Sequence, residues 1–271
     1  MSEVPVFVKV RPVRGWDWLV QSHGMFAKAR MYWLLLILGY WMITILMTIV
    51  PFVGVVAATL LKPVFAVGFL AAAWAQERGE RPKLQRLFAG FRSNIRALLP
   101  LGVVYAVGIA LALVLSSVSD GGVLMRWFLL GVTPPGDNPL QVPGIQSAMA
   151  LALFFSVPTF FALWFAPALI VFQDQSTVPA LVQSFRAAFT NLGAVIAYAL
   201  SVFLFWVIIP GLIISISAML FGRSGVLLGV ALSTPFTLSV VAIIFIADYV
   251  VYRDLFHHHE GLGSRTPTPG G

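Results

Sequence analysis

A chain of 271 residues that is 59% hydrophobic and only 10% charged, with a mean hydropathy of +0.94, is not an ordinary water-soluble domain. Its net charge of +7 does not read as a nucleic-acid footprint, because the cations flank apolar runs and suit anionic lipid headgroups instead. It has no cysteine, which excludes disulfides, a thiol nucleophile and thiolate metal ligation.

Six apolar runs reach the length of about 20 residues needed to cross a bilayer. They fall at 31–50, 53–76, 97–117, 147–172, 192–219 and 225–251. The runs are continuous rather than alternating, so they predict helices and not a barrel. The expected fold is an all-α polytopic membrane domain of six transmembrane helices over residues 1–256. Residues 257–271 form a tail whose composition from Glu260 onward predicts disorder. The first run begins after thirty residues and is too long for a signal-peptide core, so it is expected to be an uncleaved anchor.

Ahead of the first run, Gly15–Ala29 has a helical pattern, with Trp16, Leu19, Val20, His23 and Phe26 on one side and Trp18 and Met25 elsewhere. In the second run Lys62 is the only formal charge within an apolar stretch, and Pro63 follows it. An ionisable group at depth marks a functional candidate, or a side chain that snorkels outward or pairs structurally. Next comes 83–96, where Leu84, Leu87, Phe88, Phe91 and Ile95 follow helical spacing. Lys83, Arg86, Arg92 and Arg96 surround that stripe and are the candidate contacts for anionic lipid. Asn94 is placed to cap a new helix beginning near Ile95 or Arg96.

The segment 118–146 carries a short apolar stretch, Val123–Val132, then a turn-rich loop from Thr133. A second surface helix is expected at 178–192, with Leu181, Phe185, Ala188, Phe189 and Leu192 as its stripe. Aligning Phe88 with Phe185 sets Asn94 on Asn191. The architecture therefore reads as three repeats of interfacial amphipathic helix plus transmembrane hairpin. In the last two runs Ser215, Ser217, Ser233, Thr234 and Thr237 either line a polar seam with Lys62 or hydrogen-bond within and between helices. Trp16, Trp18, Tyr32, Trp33, Tyr249 and Tyr252 fit an interfacial aromatic belt. The histidine run 257–259 is expected to be a solvated interfacial cluster and not a metal site.

Charge fixes the expected orientation. Of 17 Lys and Arg residues, fourteen fall on the side of the two termini, two (Arg126 and Arg223) fall on the other, and Lys62 lies within a run. Lys and Arg near spans stay cytoplasmic, so both ends are expected inside a bacterial cytoplasmic membrane.

No nucleotide loop, zinc-protease motif or nucleophile elbow occurs, and no carboxylate lies mid-membrane in the runs. The sequence therefore predicts no enzyme activity, cofactor or metal. Two function classes stay open. One is a non-enzymatic module acting through lipid or protein contacts. The other is a carrier or pore for a small solute that uses Lys62 and the hydroxyl seam. Membrane lipids are the expected partners.

Several landmarks together resemble an uncharacterised family of proteobacterial integral membrane proteins, of the domain-of-unknown-function type. They are Arg14-Gly-Trp-Asp-Trp, Leu61-Lys-Pro-Val-Phe, Gly79-Glu, Leu87-Phe-Ala-Gly-Phe-Arg, Trp164-Phe-Ala-Pro-Ala-Leu, Ser184-Phe with Asn191, and Tyr252-Arg-Asp-Leu-Phe. The resemblance covers about residues 11–256 and implies a six-helix inner-membrane protein with short connections. That family has no established activity, so the resemblance carries no site residue over.

Overall fold

The computed structural model describes residues 7–50, 53–134, 136 and 138–257. The expectations for His258, His259 and the tail beyond them lie outside the described residues, as do Pro51, Phe52, Pro135 and Asp137. Among the described residues all regular structure is helical. The order is α1 (Arg14–Lys28), α2 (Arg30–Thr48), α3 (Val53–Glu77), a 3-10 helix (Leu84–Arg92), α4 (Ile95–Asp120), α5 (Val123–Leu130) and a 3-10 turn (Pro139–Gln141). Then follow α6 (Ile145–Trp164), α7 (Ala166–Phe172), α8 (Thr177–Thr190), α9 (Leu192–Phe203), a π-helical turn (Leu204–Ile208) and α10 (Ile209–Phe256). Among the described residues, five helical runs are long and apolar enough to cross a membrane: Arg30–Thr48, Val53–Glu77, Ile95–Asp120, Ile145–Phe172 and Leu192–Phe256. The chain is an integral membrane protein.

The last run holds 65 residues. As one straight rod at about 1.5 Å per residue it would be roughly three times as long as the hydrocarbon core is thick. It is not straight. Gly222 sits at φ 61°, ψ −140°, which a residue with a side chain avoids. Beyond it the chain turns back on itself. Gly225 meets the backbone carbonyl of Ser217, and a Cβ on Gly229 would lie 2.7 Å from the Cα of Ile214.

The contacts sort the chain into two units, one gathering the described residues of 1–41, 69–87 and 187–271, the other those of 42–68 and 88–186. In the first, Trp18, Trp33, Phe69, Ile246, Val250 and Tyr252 are almost fully buried, and Phe69 stacks on Phe245 at 4.0 Å between ring centres. In the second, α4 packs along α6, and Leu113, Leu124, Ile145 and Ala148 form a buried cluster. Asp120 joins α4 to α5 there. Its two carboxylate oxygens accept from the N–H groups of Gly122 (2.8 Å) and Leu124 (2.6 Å). The break between α6 and α7 falls at Phe165, two residues before Pro167. Ser184 repairs it, accepting from the Phe165 N–H at 2.9 Å and donating to the Phe161 carbonyl at 2.7 Å.

Each of the three surface segments buries only part of the apolar stripe read from the sequence. On α1 the buried positions are Gly15, Trp18, Leu19, Ser22 and Phe26, while Trp16, Val20 and His23 are exposed. The buried face is thus turned toward Trp18 and away from Trp16. On α8 the buried residues are the small ones, Ala180, Ser184, Ala187 and Ala188, and Phe185 and Phe189 face outward. The third segment is a 3-10 helix over Leu84–Arg92 and not the α-helix that the spacing suggested. With three residues per turn, Leu87 and Gly90 share an edge and are buried, Gly90 lying against the backbone of Val64. Phe88 and Phe91 stay exposed, with Phe91 edge-on to Phe65. On α8 the large side chains can face outward because lipid tails are as apolar as leucine, and small residues let the helix approach the protein closely. Asn94 does cap α4, its side chain accepting from the Ala97 N–H at 3.3 Å. Its supposed counterpart Asn191 makes no such cap bond.

Candidate functional site

Lys62, Ser233, Thr234 and Thr237 each find a hydrogen-bond partner within their own unit. Lys62 is exposed, and its Nζ donates to the Tyr105 hydroxyl at 2.8 Å while lying 4.2 Å from that ring's centre. The hydroxyls of the last run turn inward on their own helix. Ser233 and Thr234 both donate to the Val230 carbonyl, at 3.1 and 2.7 Å, and Thr237 donates to the Ser233 carbonyl at 3.0 Å. Such back-bonding satisfies the hydroxyl within its own helix. Ser217 is buried where Gly225 and Gly229 come close, and Ser215 is exposed. Of the cations, Arg86 pairs with Glu80 at 2.6 Å, whereas Lys83, Arg92 and Arg96 are exposed and make no salt bridge among the described residues.

A polar cluster that the sequence reading did not assemble lies where α1, the end of α3 and the end of α10 meet, all within one unit. Asp254, only 7% exposed, is its anchor. It takes both Nε (3.1 Å) and a terminal nitrogen of Arg14, and also the Trp18 indole N–H at 2.8 Å. Arg14 and Trp18 are four residues apart on α1 and therefore share a face. The hydrogen bond to Asp254 is the main cause that raises the Arg14 guanidinium above its usual pKa.

One turn of α1 further on, Arg253 donates to Gln21 Oε1 at 2.9 Å and forms an ion pair with Glu77 at the end of α3. The Tyr249 hydroxyl, four residues before Arg253 on α10, donates to the other oxygen of Glu77. Gln76 ties the remaining neighbours, donating to the Met25 carbonyl and accepting from the Trp33 indole, each at 2.6 Å.

A strap crosses this end of the unit. The Asn191 amide imitates a strand, its Oδ1 accepting from Val10 N–H at 2.8 Å and its Nδ2 donating to the Val8 carbonyl at 3.1 Å. Val8 N–H in turn donates to the Leu255 carbonyl at 2.9 Å. Both carboxylates accept from donors on neighbouring helices, an arrangement that ties those helices together.

The signals for this cluster were present in the sequence but were read singly. Tyr249 and Tyr252 passed as an aromatic belt, yet Tyr249 serves Glu77 and the Tyr252 hydroxyl lies 2.9 Å from His257 Nε2. Asp254 and Glu77 each close an apolar run, and a charge there needs a partner.

A search of known proteins found a protein of Burkholderia thailandensis, described as a probable inner membrane protein. It is 28% identical over 265 residues, which cover 96% of this chain and 97% of the relative. No family model matches the chain, and no solved structure gives a significant match.

Proposed function

We propose that this chain is a six-span protein of the bacterial inner membrane with both termini in the cytoplasm, acting without catalysis through lipid and protein contacts. The relative's description as a probable inner membrane protein supports the location. The return of the last run at Gly222 supports a sixth crossing. The Lys and Arg distribution supports the orientation. The contact reading is carried by one observation. Ser233, Thr234 and Thr237 bond within their own helix, while Lys83, Arg92 and Arg96 are exposed in the same stretch of chain as exposed Phe88 and Phe91.

Each such cation near an anionic surface contributes about 1 kcal/mol. Arg86 is engaged by Glu80, so Lys83→Gln with Arg92→Gln is the informative pair. Spin-labelled lipid in reconstituted membranes should show enrichment of anionic over zwitterionic lipid around the protein, reduced in that pair. Unchanged enrichment would remove the lipid-contact reading. Reporter fusions at Gly90 and Gly136 should behave as internal and external. The carrier reading retains the exposed Lys62, and it requires solute flux in proteoliposomes that Lys62→Gln abolishes.

A further inference from the structure

Helix α4 sets Arg96, Leu99, Pro100, Val103 and Val104 on one face, at positions i, i+3, i+4, i+7 and i+8. Leu60 of α3 adds the opposing wall, and together they bound an open groove of about 530 Å³. The wall is fixed by a close crossing, because Gly102 lies directly on the Leu60 backbone. From Arg96 to Val104 the face runs about 12 Å, at about 1.5 Å per residue.

Arg96, Leu99, Pro100 and Val103 are exposed on a helix long and apolar enough to cross a membrane, so their groove opens to the bilayer. The lining is apolar except at Arg96. Exposed Arg96 is thus the one charged residue at the end of this apolar face.

A free anion would use the guanidinium and ignore the apolar wall. A bare hydrocarbon would do the reverse. A phospholipid uses both, its phosphate on the forked guanidinium and its acyl chain along Leu99, Val103 and Leu60.

We propose that this groove seats one anionic phospholipid, its phosphate on Arg96, with phosphatidylglycerol as the probe. The inference rests on the lipid-contact reading but claims more, a single placed lipid in addition to a diffuse anionic annulus.

The full-length protein in nanodiscs of phosphatidylcholine with phosphatidylglycerol provides the test, with retained lipid counted by native mass spectrometry. One phosphatidylglycerol per chain is expected. Arg96→Gln and Val103→Trp should each lower its occupancy at least fivefold, while Leu153→Trp, on an exposed face of α6, leaves it unchanged. Circular dichroism and size exclusion check folding. Should Val103→Trp misfold, Val104→Phe asks the same question, and a photoactivatable phosphatidylglycerol should cross-link within 96–104 of the unaltered chain.

Wild-type occupancy in both groove variants, or cross-links elsewhere, would overturn the proposal. If those variants are silent but Lys83→Gln with Arg92→Gln reduces anionic lipid enrichment, the groove falls and the surface reading stands. If no variant changes lipid content, both fall.

Discussion

Residues 249–254 and residues 214–229 belong to the same helical run, yet different forces hold them. The first stretch ends the run among polar partners, with Asp254 on Arg14 and Trp18 and Arg253 on Glu77 and Gln21. The second turns back at Gly222 and packs on itself through Gly225 and Gly229. Most of its large side chains, among them Ile216, Met219, Leu220 and Leu227, face outward. Lipid tails are as apolar as leucine, so helices gain nothing by hiding bulk from them. Within the hydrocarbon, close backbone approach and dispersion remain. At the run's end, directional charge pairing becomes available and takes over.

The comparison breaks most easily at Asp254. Asp254→Ala strands the Arg14 guanidinium and the buried Trp18 indole N–H. Removing one partner of a buried pair typically costs about 3–5 kcal/mol, and partial exposure of Arg14 places this case near about 3 kcal/mol. The expected result is a clear fall in melting temperature in detergent, with faster hydrogen exchange in α1. An unaltered melt would mean that the cluster does not hold α1.

Gly229→Leu attacks the other end. The new side chain has no room beside Ile214 and Ser217, and overpacking costs about 1–3 kcal/mol. Spin labels introduced at positions 212 and 228 should separate in this variant, while exchange in α1 stays at its wild-type rate. Equal separation with and without the leucine would show that the glycine contact does not set the spacing.

The smallest effect is expected from Ser233→Ala and Thr234→Val. Their hydroxyls serve only the Val230 carbonyl in the bonds seen here, so stability should change by under about 0.5 kcal/mol. Thermal melts of both variants check this. A large loss in either would return the hydroxyls to the list of functional groups.

Much of the membrane plan was legible, because length and continuity of apolar runs follow from bilayer thickness alone. The runs at 31–50, 53–76, 97–117 and 147–172 match helical spans to within a few residues, and Asn94 caps α4 as its position implied. The phase of the surface helices was not legible. An apolar stripe marks a helix, but in a membrane protein it does not say which side faces the protein. On α1 the choice went to Trp18 because its indole N–H reaches Asp254, 236 residues away. The 3-10 form of Leu84–Arg92 likewise comes with Gly90 meeting Val64, a contact outside the reach of local spacing.

By itself, the sequence determined where helices must run and which residues can sit in lipid, since hydropathy acts residue by residue. Tertiary structure alone decided which charges meet. Glu77 with Arg253, Arg14 with Asp254 and Asn191 with the Val8–Val10 strap are pairings across long stretches of chain. Each is worth having only once the helices around it are packed, because the cost of burying a charge is offset solely by the partner that packing brings.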